Sequence, residues 1–98
     1  MHRQTAIDLI RAHEGELRAL GVAGCDLFGS VARGEGRRGS DVDVAVRLDA
    51  ARRITLFDLA ELGHRLERML GAKVDLVSEG GLKPRFKARI DADRLHVF

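Results

Sequence analysis

A chain of 98 residues is a single domain, 1–98, near the small end of what folds alone. Such a domain buries about 60–70% of its unfolded surface, enough for one core and one open cleft. Its 45% hydrophobic and 33% charged residues exclude disorder, and a net charge of +2, from 17 Lys and Arg against 15 Asp and Glu, does not require direct nucleic-acid binding. A single cysteine, Cys25, excludes an internal disulfide; no apolar run approaches the roughly 20 residues of a membrane span, and the start carries no apolar leader core, so a cytoplasmic protein without membrane association is expected.

Ala6, Ile7, Ile10, His13, Leu17 and Leu20 recur at helical spacing before Gly21, which predicts one amphipathic helix over residues 3–20. The apolar run Val22 to Phe28 reads as a strand, and residues 29–40, rich in glycine and arginine, as a loop. The segment 41–48 alternates, placing Val42, Val44, Val46 and Leu48 on one face and Asp41, Asp43, Ala45 and Arg47 on the other. Thr55, with Asp58 three residues on, forms a variant capping box ahead of a helix over about 56–70. Its buried stripe would be Leu56, Leu59, Ala60, Leu66, Met69 and Leu70, with Gly71 as the stop. Residues 73–77 read as a third strand. Leu82, Phe86 and Ile90 recur every fourth residue in a last helix that tolerates Pro84 in its first turn. The tail Leu95 to Phe98 is apolar enough to dock on the core or to meet a partner. The order α-β-β-α-β-α implies an α+β fold, a small mixed β-sheet with helices packed on it.

The loop holds one misleading pattern. Gly34-x-Gly36-x-x-Gly39 matches the dinucleotide fingerprint, but that motif needs a strand before it and a helix after it, whereas here it leads into a strand. The informative pattern is Gly29-Ser30, ten residues, then Asp41-x-Asp43. Carboxylates at i and i+2 of a strand project to one face, where like charges raise one another's pKa. Mg²⁺ resolves that conflict, being a hard cation that takes carboxylate and phosphate oxygens. Two such ions roughly 3.5–4 Å apart can clamp the attacking and leaving oxygens of an in-line phosphoryl displacement. Gly29 lets the backbone approach a triphosphate, and Ser30 offers a hydroxyl and an N–H to its oxygens.

Phe28-Gly29-Ser30-x-Ala32-Arg33-Gly34 through Ser40-Asp41-x-Asp43 resembles the signature of the DNA polymerase β-like nucleotidyltransferase superfamily, and the short chain resembles its minimal nucleotidyltransferase (MNT) family. The resemblance implies a polymerase β-like palm fold and a third carboxylate on a later strand. Asp75, the acid of the third strand, takes that role as metal ligand and proton acceptor. It also implies that Arg33 lies near the phosphates. By resemblance, too, the substrate is ATP, the cofactor is Mg²⁺ in a two-metal site, and the partner is a HEPN-domain RNase toxin. The chain would then be the antitoxin of a type VII-like pair, transferring AMP to a toxin tyrosine. Two other readings accompany this one. A non-catalytic antitoxin would neutralise by covering the toxin, and a small-molecule nucleotidyltransferase would need an acceptor-binding domain.

Other residues read as structural. Ser30 has no base nearby in sequence and is not expected to act as a covalent nucleophile. Arg37 and Arg38 read as loop charges, and Lys83, Arg85, Lys87, Arg89 and Arg94 as a solvated basic face that could alternatively meet an acidic toxin surface or RNA. His2, His13, His64 and His96 lack ligand spacing, and Cys25 reads as a buried, inert thiol.

Overall fold

The computed structural model describes residues 1–37 and 39–98, so the reading of Arg38 lies outside the described residues. The elements run α1 (Arg3–Ala12), α2 (Glu14–Ala19), β1 (Val22–Phe28), α3 (Gly29–Ala32), β2 (Val42–Leu48), α4 (Leu56–Leu70), β3 (Val74–Ser78), α5 (Pro84–Asp93) and β4 (Leu95–His96). They form the expected α+β arrangement: a mixed sheet of order β3-β2-β1-β4 with helices packed on it.

β1 pairs antiparallel with β2 and with β4, whereas β2 and β3 run parallel. A parallel neighbour requires a crossover, and α4 supplies it. Its start is fixed by the Thr55–Asp58 capping box: Asp58 N–H donates to Thr55 Oγ1 at 3.1 Å and Thr55 N–H to Asp58 Oδ2 at 2.9 Å. Its end is fixed by Gly71, left-handed at φ 65°.

Strand alternation divides the sheet into two faces. Cys25 and Leu27 of β1, paired with Val46 and Val44 of β2, join Val42 in a core with Ala6, Ile7, Ile10, Leu17, Leu62, Leu66 and Leu70 of α1, α2 and α4. The other face carries Asp26, Phe28, Asp43, Ala45 and Arg47, and α5 packs over part of it. Ile90 of α5 and Ala45 are both fully buried, yet neither joins the main core. That second face holds the chemistry.

Several boundaries differ from the sequence reading. The single helix over 3–20 is broken at His13 (φ −109°, ψ 15°), whose ring Nδ1 lies 2.8 Å from the Leu9 carbonyl oxygen. This side-chain contact with the last turn of α1 accompanies the start of a second helix at Glu14. The start of the 29–40 loop is a single helical turn, α3. Leu56 and Ala60, expected in the buried stripe of α4, are exposed. Leu56 is 83% accessible and its neighbour Phe57 87%, because the first turn of α4 extends past the packed part of the helix. The apolar tail docks as β4: Asp26 and Leu27 pair with His96 and Leu95, and Val97 is buried. No helix among the described residues is long and apolar enough to cross a membrane.

Candidate active site

At the end of the second face, Phe28, Asp43 and Asp75 stand in one row across three strands. Phe28 is the register partner of Asp43, and Asp43 that of Asp75. Asp41 precedes β2 on the side that Asp43 faces. Partial burial raises the Asp43 carboxyl above its ordinary range. Asp75 raises it further, both as a charge and as a hydrogen-bond partner, and the Asp41 charge adds to this against the opposing charge of Arg33. Both of the other sequence-predicted acids thus act on the Asp43 carboxyl.

Gly29 is what lets the chain turn here. It sits at φ 71°, and a Cβ at this position would lie 2.1 Å from Asp43 Oδ2. Backbone and carboxylate are thus in contact in a way that glycine alone permits. Ser30 follows, half-buried in α3, and Arg33 closes that turn. Arg33 donates from Nε to Glu35 at 3.0 Å and from Nη1 to Asp93 at 2.6 Å. Its charge reaches Asp43, while its guanidinium is held by these two acids.

Among the described residues, no three His, Cys, Asp or Glu side chains converge closely enough to hold a metal ion as they stand. The donor set nevertheless suits Mg²⁺. Its members are carboxylates only, two of them adjoin, and Mg²⁺ is commonly bound by one or two carboxylates with water and substrate phosphate completing the shell.

Two to four residues along the sheet from Asp43, the same face carries a charge network that the sequence reading missed. The Asp26 carboxylate, 2% exposed, accepts from Arg47 Nη1 at 3.0 Å and from Arg94 Nη1, and lies 3.0 Å from His96 Nδ1. Glu79 accepts from Arg47 Nη1 at 2.8 Å and from Arg94 Nη2. Burial alone would push Asp26 up, but the hydrogen bonds from Arg47, Arg94 and His96 outweigh it and hold the carboxyl below the ordinary aspartate range. Arg94 is therefore not part of a solvated basic face. It leaves the end of α5 to tie that helix to β1 and to the residue after β3. The available signals were a lone acid in an apolar strand and an arginine in phase with Asp43. Cys25 is buried on the core face, and burial pushes its thiol up to about 12, so it stays protonated and inert.

Comparison with known proteins identifies the family and the fold. The sequence profile of the nucleotidyltransferase domain family matches residues 10–96. The protein adenylyltransferase MntA of Thermococcus cleftensis is 42% identical over 76 residues, which is 76% of this chain and 75% of that protein. A solved structure described as a candidate minimal nucleotidyltransferase shares 38% identity with a TM-score of 0.80, covering 97% of this chain and 95% of its own. A structure of a tri-AMPylated Shewanella oneidensis HEPN toxin in complex with MNT antitoxin matches at 20% identity and TM-score 0.62, over 89% of this chain and 70% of that one, and bears on the fold alone. The chain belongs to the nucleotidyltransferase domain family, as a minimal enzyme of the protein adenylyltransferase type.

Proposed function

We propose that this protein transfers AMP from ATP to a tyrosine hydroxyl of a HEPN-domain toxin and so acts as the antitoxin of a type VII-like pair. The observation that carries the proposal is the contact of Asp43 with both Asp75 and the Gly29 turn. In this reading Asp41, Asp43 and Asp75 hold Mg²⁺, which supplies charge neutralisation at the phosphates when bound. Gly29, Ser30 and Arg33 hold the triphosphate. The acceptor oxygen forms a bond to the α-phosphorus, the bond to the bridging oxygen breaks, and pyrophosphate leaves. Asp75 is the most exposed acid on the strand row and accepts the hydroxyl proton. The 42% identity to a protein adenylyltransferase supports a protein hydroxyl as the acceptor.

Intact-mass analysis of the cognate toxin after incubation with ATP, Mg²⁺ and this protein should show addition of AMP. Asp41→Asn and Asp43→Asn should abolish it; transfer at the wild-type level by either variant would refute the assignment. A second reading, neutralisation by binding alone, draws on the exposed Leu56 and Phe57, an apolar pair free to meet a partner. It requires that the same Asp variants still rescue cells expressing the toxin.

A further inference from the structure

Two of the chain's four phenylalanines line one recess beside the acids. Phe28, Phe86, Arg89, Ile90 and Asp93 line a shallow recess between the end of β1 and α5. One wall is continuous with the acid row, since Phe28 is the register partner of Asp43 and directly precedes Gly29. The other reaches the Gly-Ser turn, since Asp93 is held by Arg33 at 2.6 Å. Fully buried Ile90 forms the floor, while Phe86 keeps 38% of its surface exposed and so has ring surface to offer.

We propose that this recess seats the purine ring of the nucleotide, with Phe28 and Phe86 as the stacking surface. The inference rests on the nucleotidyltransferase reading of Asp43 and Gly29-Ser30 and adds the base-binding residues to it. A flat heteroaromatic ring fits a shallow, aromatic-lined recess better than a flexible chain does, because stacking needs only one exposed face on each partner. The site's position fits as well. A nucleotide whose phosphates lie at Gly29, Ser30 and Arg33 has its base within reach of Phe28, the residue next to that turn. Arg89 and Asp93 add donors and an acceptor at the rim, which match the ring nitrogens and exocyclic amine of adenine.

The chain contains neither Trp nor Tyr, so Phe86→Trp places one reporter in the recess. Saturating ATP with Mg²⁺ should quench or shift its emission, and inorganic tripolyphosphate with Mg²⁺ should not. By calorimetry, Phe86→Ala should weaken ATP binding about tenfold to a hundredfold while leaving tripolyphosphate binding at the wild-type level. Phe86→Leu keeps an apolar side chain and removes the π face, and should lose ATP affinity in the same direction. Unchanged ATP affinity in both variants overturns the proposal while leaving the phosphate site intact, as does wild-type protein that binds tripolyphosphate as tightly as ATP. Wild-type protein that binds neither compound overturns the nucleotidyltransferase reading itself.

Discussion

Gly29→Ala separates the two demands that the site makes on one residue. Gly29 and Gly71 have nearly the same backbone, φ 71° and 65°, but a Cβ at Gly29 would lie 2.1 Å from Asp43 Oδ2, whereas at Gly71 it would meet nothing within 4 Å. Alanine in the left-handed region costs about 1–2 kcal/mol at either position. In a domain of this size 1 kcal/mol shifts Tm by roughly 4–8 °C, so both variants should melt some 5–15 °C below wild type. Only Gly29→Ala must also move the Asp43 carboxylate, by on the order of 1 Å to restore van der Waals contact. Displacement of a reacting group on that scale costs about a hundredfold in rate. Paired thermal melts and initial rates of AMP transfer test this at a temperature where both variants remain folded. Gly71→Ala should retain near wild-type activity, and Gly29→Ala should lose about two orders of magnitude. Equal activity in the two variants would refute the claim that Gly29 exists to admit the Asp43 carboxylate.

Three further outcomes follow from the charges and the core. Because the Asp43 pKa is raised in the fold, the native state holds more protons than the unfolded state above the ordinary value of 3.8, and stability falls as pH rises through that window. Asp43→Asn should therefore raise Tm at neutral pH in the absence of divalent cations. Mg²⁺ should raise the wild-type Tm and have little effect on that variant. Asp26 and Glu79 act in the opposite sense: their pKa values are depressed, so their stabilisation is present above about pH 4 and is lost as pH falls through the folded values. Asp26→Asn should cost about 2–3 kcal/mol in urea unfolding at pH 7. That is below the roughly 3–5 kcal/mol of a fully buried pair because Arg47 and Arg94 can rehydrate. It should also flatten the acid limb of the stability profile. In the core, Leu66→Ala should cost about 2–5 kcal/mol, while Phe57→Ser at an exposed position should change stability by less than about 0.5 kcal/mol in the same assay.

What was legible in the sequence was local. The capping box at Thr55 and Asp58, the alternation of Val42, Val44 and Val46, and the spacing of Gly29 to Asp43 are all short-range patterns; the box forms, the three valines are buried, and Gly29 lies against Asp43. The alignment of Asp75 with Asp43 depends on the register of two parallel strands joined by a helix, which no short window encodes. The Asp26 network is less legible still, since its partners Arg94 and His96 lie 68 and 70 residues away. Periodicity also overstated α4, because a helical stripe marks which side can be buried but not how far the neighbours extend. Leu56 is in phase with the stripe and has no neighbour to cover it.

One transfer is central to the proposed function, that of the α-phosphoryl group with its adenosine. Purified cognate toxin should be incubated with Mg²⁺ and ATP labelled at either the α- or the γ-phosphorus, with wild-type protein and with Asp43→Asn. Protein-bound label should come from α-labelled ATP only, present with wild type and absent with Asp43→Asn. Label from γ-labelled ATP, or α-label undiminished by Asp43→Asn, would contradict the proposed function.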